Sequence, residues 1–384
     1  HLRPTFKKGR GCLLIWGEGG GGKTSLACQI AKWASEDPGN CLCQHLMIPV
    51  LIEEQLDREP LTDKNALTET IRGQLGALLR LQDPIPEDFL LELLKRQRVL
   101  VIIDHLSEMN EATRSLIRPS QPVINALVVT SRREERLDGV PRTVVQPLRV
   151  EGERGVLRFM MDYLSSTGKQ DLFTDEELVT NRARLLSIVH DRPITPLLAK
   201  MFVEQMIAIS DGRMDYEVPN NIPQLMLYYL NNINRFPAIK ELDDRTVQHV
   251  SKIIAWECLK ETYRPVAATR ESILKSLVHE KQVEELLAYL EDRLRLINIS
   301  GPEKNQIRFG LDPLAEYLAA LYIVDSYGNA RDFWQEFLIK ADSVPEQSRE
   351  FLFAVRDCCL ARPMNEEVRC YAVTEIERRL RLAH

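Results

Sequence analysis

The chain is 384 residues long, 44% hydrophobic and 28% charged, with a formal net charge of -6. This is the composition of an ordinary soluble globular protein of about two to four domains, without the basic field that marks nucleic acid or an anionic membrane as the main partner. No apolar stretch approaches the ~18 residues of a bilayer span, so no membrane partner is expected.

The eight cysteines, Cys12, Cys28, Cys41, Cys43, Cys258, Cys358, Cys359 and Cys370, show no paired metal-site spacing. They read as reduced thiols, which predicts a cytoplasmic protein. The chain starts at His1 without Met or a signal-like segment and with a strand almost at once. It therefore reads as a piece of a longer polypeptide.

In chain order, the first predicted element is a strand over Leu13–Trp16. It runs into Gly17-Glu-Gly-Gly-Gly-Gly22-Lys23-Thr24, which fits the phosphate-loop pattern G-x-x-x-x-G-K-[ST]. A helical pattern over Lys23–Ser35 follows, so the motif has the strand–loop–helix context it needs. Gly17, Gly19, Gly20, Gly21 and Gly22 can turn backbone N–H groups inward as an anion nest. The helix start behind them, with Ser25 in its first turn, adds partial positive charge. Lys23 is placed to reach the β/γ-phosphates, and the Thr24 hydroxyl to coordinate Mg²⁺. These residues predict a nucleoside-triphosphate binder.

Further strands are predicted at Leu46–Glu53, Val99–Asp104, Ala126–Thr130 and Thr143–Val145. Helical patterns lie between them at Asn65–Leu81, Glu87–Arg96 and near Glu108–Leu116. This alternation implies a parallel sheet with its ligand at the carboxyl ends of the strands. Arg98-Val-Leu-Val-Ile-Ile-Asp104 has the Walker B form, a buried strand delivering Asp104 to the Mg²⁺ water shell. Four residues on, Glu108 is placed to polarise the attacking water, although acids favour a helix start in any case. The next strand ends Thr130-Ser-Arg132. Thr130 and Arg132 are candidates to sense the γ-phosphate. The alternative is that Arg132 and Arg133 are exposed strand-end charges. The Asn/Thr-Lys-x-Asp base-reading motif of GTPases is missing here, which favours ATP.

After Leu148 the strand signal stops and helical periodicity takes over, at Val156–Leu164, Leu178–Val189 and Pro196–Ile209. The segment Val218-Pro-Asn-Asn-Ile-Pro223 marks a hinge and boundary. Val283, Leu286, Leu287, Leu290 and Leu294 share one helical face. Leu296–Ser300 and Gln306–Phe309 flank a Gly-Pro-Glu-Lys-Asn turn and read as a wing. The expected division is a nucleotide-binding domain at 1–148, a small helical domain at 149–219 and a winged-helix domain at 220–328. Residues 329–384 form three helical stretches, broken at Ser343-Val-Pro345 and Arg362-Pro363, and are a candidate start of a sensor or repeat region.

This order of motifs resembles the NACHT branch of the STAND class of AAA+-related P-loop ATPases. Asp104-His-Leu-Ser-Glu108 resembles the branch's Asp-Gly-hydrophobic-Asp-Glu Walker B, with the first and last acids kept. Thr130-Ser-Arg132 resembles its sensor 1. Arg192-Pro-Ile-Thr-Pro196-Leu-Leu resembles its proline motif, which implies that Pro196 packs on the adenine, with Pro193 as a rival. Phe309-Gly-Leu-Asp-Pro-Leu-Ala-Glu316-Tyr-Leu-Ala-Ala320 resembles the segment that closes the winged helix. Two positions depart from the family pattern. Ser107 replaces the third Walker B acid. Leu311 replaces the histidine that in the family contacts the ADP β-phosphate, and the Leu-Asp-Pro-Leu-Ala-Glu-Tyr-Leu string resembles bacterial members.

The resemblance implies a switch that exchanges ADP for ATP with Mg²⁺, hydrolyses ATP slowly and self-associates through its nucleotide-binding domains. It also implies an effector before His1, a sensor after His384, and immune-type signalling. Two rivals stand beside it. One is a winged-helix ATPase that acts on DNA, for which the predicted helix Thr269–His279 offers Arg270 and Lys275 but also Glu271. The other is a scaffold that binds nucleotide without turnover.

Overall fold

The computed structural model describes residues 2–7, 9–36, 42–53, 56, 66–109, 111–117, 124–146, 152–189, 192, 194–212, 218–235, 242–301 and 304–382. The chain divides into two compact units, residues 1–148 and 149–384.

The first unit opens with a short helix, α1 (Arg3–Lys7), so a strand is not its first element. Then come β1 (Gly11–Trp16), α2 (Lys23–Ser35), β2 (Ile48–Ile52), α3 (Ala66–Leu79), α4 (Glu87–Lys95), β3 (Val99–Ile103), α5 (Glu111–Leu116), β4 (Ala126–Ser131) and β5 (Thr143–Val145). The five strands pair in parallel in the order β2-β3-β4-β1-β5.

The near-continuous apolar runs of β1, β3 and β4 follow from burial on both faces. Alternation along each strand sorts their side chains. Leu14, Val101, Ile103 and Val129 pack with Ile71 and Leu75 of α3 and Leu90 and Leu94 of α4. Leu13, Ile15, Ile102 and Val128 pack on the other face with Ala27, Ile30 and Ala34 of α2 and Phe6 of α1. The helical pattern predicted near Glu108–Leu116 is split. A single 3-10 turn, Leu106–Glu108, precedes α5, because Met109 is extended at φ -69° and ψ 150°.

The second unit is mostly helical. It holds α6 (Gly152–Ser166), α7 (Asp175–Val189), α8 (Pro196–Ser210), α9 (Ile222–Arg235) and α10 (Asp244–Leu259). A two-residue strand β6 (Ala268–Thr269), α11 (Arg270–Ser276) and α12 (Val283–Ala288) follow. The hairpin β7 (Ile297–Ser300) and β8 (Gln306–Phe309) is antiparallel, and β6 adds to β8 to complete a three-stranded sheet, β6-β8-β7. α13 (Asp312–Tyr327), α14 (Arg331–Ser343), α15 (Pro345–Ala361) and α16 (Glu366–Leu382) close the chain.

A π turn over Tyr289–Arg293 ends the α12 segment and buries Tyr289 beside Leu290, so the predicted stripe there is not a plain α-helical face. Leu314 to Leu321 of α13 are buried without a break, as expected of a helix enclosed on all sides. Hydrophobic side chains from α6 to α16 make one continuous core in this unit.

Arg192, between α7 and α8, ties this core together. Its guanidinium donates to Tyr317 of α13, and pairs with Asp357 at 3.2 Å and Glu350 at 3.4 Å on α15. It also lies over the Phe353 ring, 4.6 Å from the centroid. Burial alone would lower its pKa, but Tyr317, Asp357, Glu350 and Glu316 more than offset this and hold the guanidinium charged.

Candidate nucleotide site

The site lies in the first unit, at the carboxyl ends of β1, β3 and β4, where an open parallel sheet takes its ligand. β1 delivers the loop Gly17–Gly22, and α2 starts immediately behind it at Lys23. Gly20 and Gly22 have φ of 75° and 82°, a backbone that side-chain-bearing residues rarely adopt. Gly22 is the N-cap of α2. The Gly17 N–H donates to the Ser131 carbonyl at 3.2 Å, joining the loop to the end of β4.

Lys23 is 8% exposed. Its Nζ donates to the Gly17 carbonyl at 2.9 Å and the Glu18 carbonyl at 2.8 Å, so the ammonium is held inside the loop it would serve. Thr24 is half-buried, and Ser25 is exposed in the first turn of α2. The Thr24 hydroxyl donates to Asp104 Oδ2 at 2.9 Å. This bond joins the phosphate loop to the carboxylate after β3. A hydroxyl and a carboxylate are hard oxygen donors of the type Mg²⁺ prefers, so Thr24 and Asp104 fit that cation.

Asp104 is fully buried. Its Oδ1 accepts from the Thr130 hydroxyl, and its Oδ2 lies 3.1 Å from His105 Nε2. Burial pushes its pKa up, but His105, Thr130 and Thr24 together outweigh burial and hold the carboxyl below its ordinary range. A deprotonated Asp104 is the form that accepts hydrogen bonds from cation-bound water.

His105 is the residue that sequence reasoning missed. It has φ 57°, the left-handed region, which costs an L-residue about 1–2 kcal/mol. The turn points its ring back along the strand end, with Nδ1 at 3.5 Å from Glu108 Oε1. Its backbone N–H donates to Thr130 Oγ1 at 2.9 Å. A signal was present in the sequence, since His105 occupies the glycine position of the family's Walker B.

Glu108 is not a solvated helix-start acid. Its side chain is 5% exposed, and Arg132 Nε lies 3.1 Å from its Oε1. Arg132 is 14% exposed, whereas Arg133 is 48% exposed and pairs with Glu135 at 3.1 Å. Ser107, which takes the place of the third acid, accepts a hydrogen bond from the Arg132 backbone N–H at 2.9 Å and so fixes the end of β4.

Asp104, Glu108, Thr24, Thr130, Arg132 and Lys23 are thus within one compact unit, at one end of one sheet. Pro196 is in the second unit, at the first turn of α8 behind the N-cap Thr195, whose Oγ1 accepts from the Leu198 N–H at 3.3 Å. Pro193 lies outside the described residues. Leu311 precedes α13 and packs partly buried on the core of the second unit, next to an Arg308–Asp312 pair at 3.8 Å.

Residues 12–173 match the model of the NACHT domain family. No curated protein sequence matches the chain. Among solved structures, a STAND protein with a tetratricopeptide repeat sensor from Pyrococcus horikoshii is 13% identical, with TM-score 0.41, over 99% of this chain and 52% of that one. This chain therefore spans about half of that protein's length. The Drosophila ORC bound to DNA is 12% identical with TM-score 0.27, over 83% of this chain and 90% of that one. A closed-state Hsp104 with ATPγS and FITC casein is 13% identical with TM-score 0.32, over 65% and 43%. These superpositions are loose, and the site geometry stands without them. The five-stranded parallel sheet and its phosphate loop coincide with the stretch, residues 12–173, that matches the NACHT domain family, so this part of the chain is similar to the P-loop NTPase domain of that family.

Proposed function

We propose that the chain is the nucleotide switch of a signalling protein. It binds ADP or ATP with Mg²⁺, exchanges one for the other, and in the ATP form associates with further copies to activate an attached effector. In this reading Lys23 and the Gly17–Gly22 loop hold the phosphates, Thr24 and Asp104 hold the cation, and Thr130 and Arg132 report on the γ-phosphate. A bound cation would supply charge neutralisation at the phosphates. Glu108 orients the attacking water. Pro196 and the winged-helix part, residues 220–328, close over the nucleotide in the ADP form.

The observation that carries a switch, as opposed to a rapid ATPase, is the Arg132–Glu108 pair. The carboxylate needed to orient water is buried and charge-paired at 3.1 Å, which favours slow turnover. Reversing a 1:99 equilibrium takes about 5.5 kcal/mol of differential affinity. Charge-assisted contacts to a triphosphate are of the right strength to supply it.

The DNA-acting alternative draws less support. The two cations of α11 are each paired with an acid, Arg270 with Glu284, and Lys275 with Glu271 at 2.7 Å. Paired cations release few counterions on a phosphate backbone. Among the described residues no helix is long and apolar enough to cross a membrane.

Light scattering after size exclusion tests the proposal, on the intact protein loaded with ADP or ATP. Larger particles with ATP than with ADP are expected, and Glu108→Gln should hold the larger form. A particle that stays monomeric with ATP, or grows only on adding duplex DNA, counts against it. A turnover assay separates the switch from a scaffold without hydrolysis.

A further inference from the structure

Asp104 has two oxygens and both are taken by the chain itself. Oδ1 accepts from Thr130, and Oδ2 accepts from Thr24 at 2.9 Å while lying 3.1 Å from His105 Nε2. The other nitrogen of the same ring is 3.5 Å from Glu108 Oε1. One imidazole therefore spans the two carboxylates that the proposed function assigns to the cation and to water.

We infer that His105 is a positioning residue that competes with the hydrated cation for Asp104 and restrains Glu108 until the cation arrives. This rests on the nucleotide-binding function proposed above. Thr24 can keep donating to Asp104 while its oxygen lone pair meets the cation. His105 has no such double capacity. Its Nε2 and an O–H of cation-bound water compete for the same Oδ2, which already faces Thr24 at 2.9 Å and the ring at 3.1 Å in a fully buried carboxylate. When the ring gives way on Asp104 it loses the anchor that aims its second nitrogen at Glu108. Cation loading and withdrawal of the ring from Glu108 then become one event, with Arg132 left as the partner of that carboxylate. The left-handed backbone at His105, φ 57°, is what points the ring back into this gap. Glycine keeps that backbone without effort and removes the ring, so the substitution that tests the idea does not oppose the fold.

The test is a Mg²⁺ titration of binding, read by anisotropy of a fluorescent non-hydrolysable ATP analogue, on the wild-type chain, His105→Gly and His105→Asn. Asparagine also accepts the left-handed backbone but is too short to span both carboxylates. Removing one competing hydrogen bond should lower the Mg²⁺ midpoint about three- to tenfold in His105→Gly, and in the same direction in His105→Asn. Turnover at limiting Mg²⁺ should rise in step with the shift of the midpoint, a dependence on cation concentration that a purely structural role would not produce. Intact analogue binding with an unchanged Mg²⁺ midpoint in both variants would overturn the inference alone. No binding by the wild-type chain at any Mg²⁺ concentration would overturn both the inference and the proposed function.

Discussion

Thr24 and Asp104 are 80 residues apart in sequence and joined by a 2.9 Å hydrogen bond. Neither residue would be at that place without the sheet. Thr24 is there because α2 starts directly after β1, and Asp104 because β3 ends two strands away, with β4 between them. The bond makes the phosphate loop and the carboxylate after β3 one assembly.

Glu108→Gln should bind ATP with wild-type affinity and hydrolyse it about a hundredfold more slowly, the usual scale for a lost general base. Calorimetry and a phosphate-release assay check the two halves. Turnover at the wild-type rate would mean that Glu108 serves only as the partner of Arg132.

Arg192→Met should destabilise the second unit by about 1–3 kcal/mol, because the half-buried Glu350 and Asp357 would lose a cation they share, although Arg356 still pairs with Asp357. Tyr317→Phe should cost about 1 kcal/mol, the worth of one hydroxyl's bonds. The two losses should not add, since both residues meet Asp357 Oδ2. Urea unfolding measures all three quantities. A cost below about 0.5 kcal/mol for Arg192→Met would show that the pairs contribute only at the surface level.

Burial raises the thiol pKa of Cys12 to about 11, and those of Cys258 and Cys359 to about 12. The sign follows from proton linkage. Folded thiols keep their protons where unfolded ones lose them, so stability is full below the unfolded pKa and falls as pH rises toward the folded value. Each such group steepens the fall by up to about 1.4 kcal/mol per pH unit. Melting temperature under reducing conditions should therefore drop between pH 8 and 10, and Cys258→Ala should flatten the slope. In the native state iodoacetamide should label the exposed Cys28 and Cys370 ahead of these three. Equal labelling of all the thiols would contradict this.

Leu311→Ala should lower stability by on the order of 1–2 kcal/mol, less than a fully buried leucine, because its side chain is only partly buried on the core. ADP affinity should stay the same. A tenfold loss of ADP affinity at unchanged stability would assign Leu311 a direct role at the nucleotide.

Much of the site was legible because its parts are local. Gly17 to Thr24 is contiguous, and the apolar run Val99–Ile103 announces where Asp104 must stand. The apolar run of β1 and the boundaries of α2 followed from the same logic. What escaped depends on contacts between distant segments or on single-residue geometry. The role of His105 needs a positive φ and two carboxylates brought near by a 3-10 turn. Arg192 is legible as a motif residue, but its partners on α15 lie more than 150 positions away. β6 is two residues long and exists only because β8 offers it an edge. The sequence places Lys23 to reach the β/γ-phosphates but does not show that its Nζ also donates to the Gly17 and Glu18 carbonyls of its own loop.

The most direct test of nucleotide binding is isothermal titration of Mg²⁺-ATP and Mg²⁺-ADP into the wild-type chain and Lys23→Ala. Lys23 is the cation of the phosphate loop, and a charged hydrogen bond of this kind is worth about 1.5–3 kcal/mol. The expected result is saturable one-to-one binding by the wild type and at least about a tenfold loss in Lys23→Ala, with the melting temperature of the variant within a few degrees of wild type. Equal affinity of the two proteins, or no heat from the wild type, would contradict the assignment of residues 17–24 as the phosphate site.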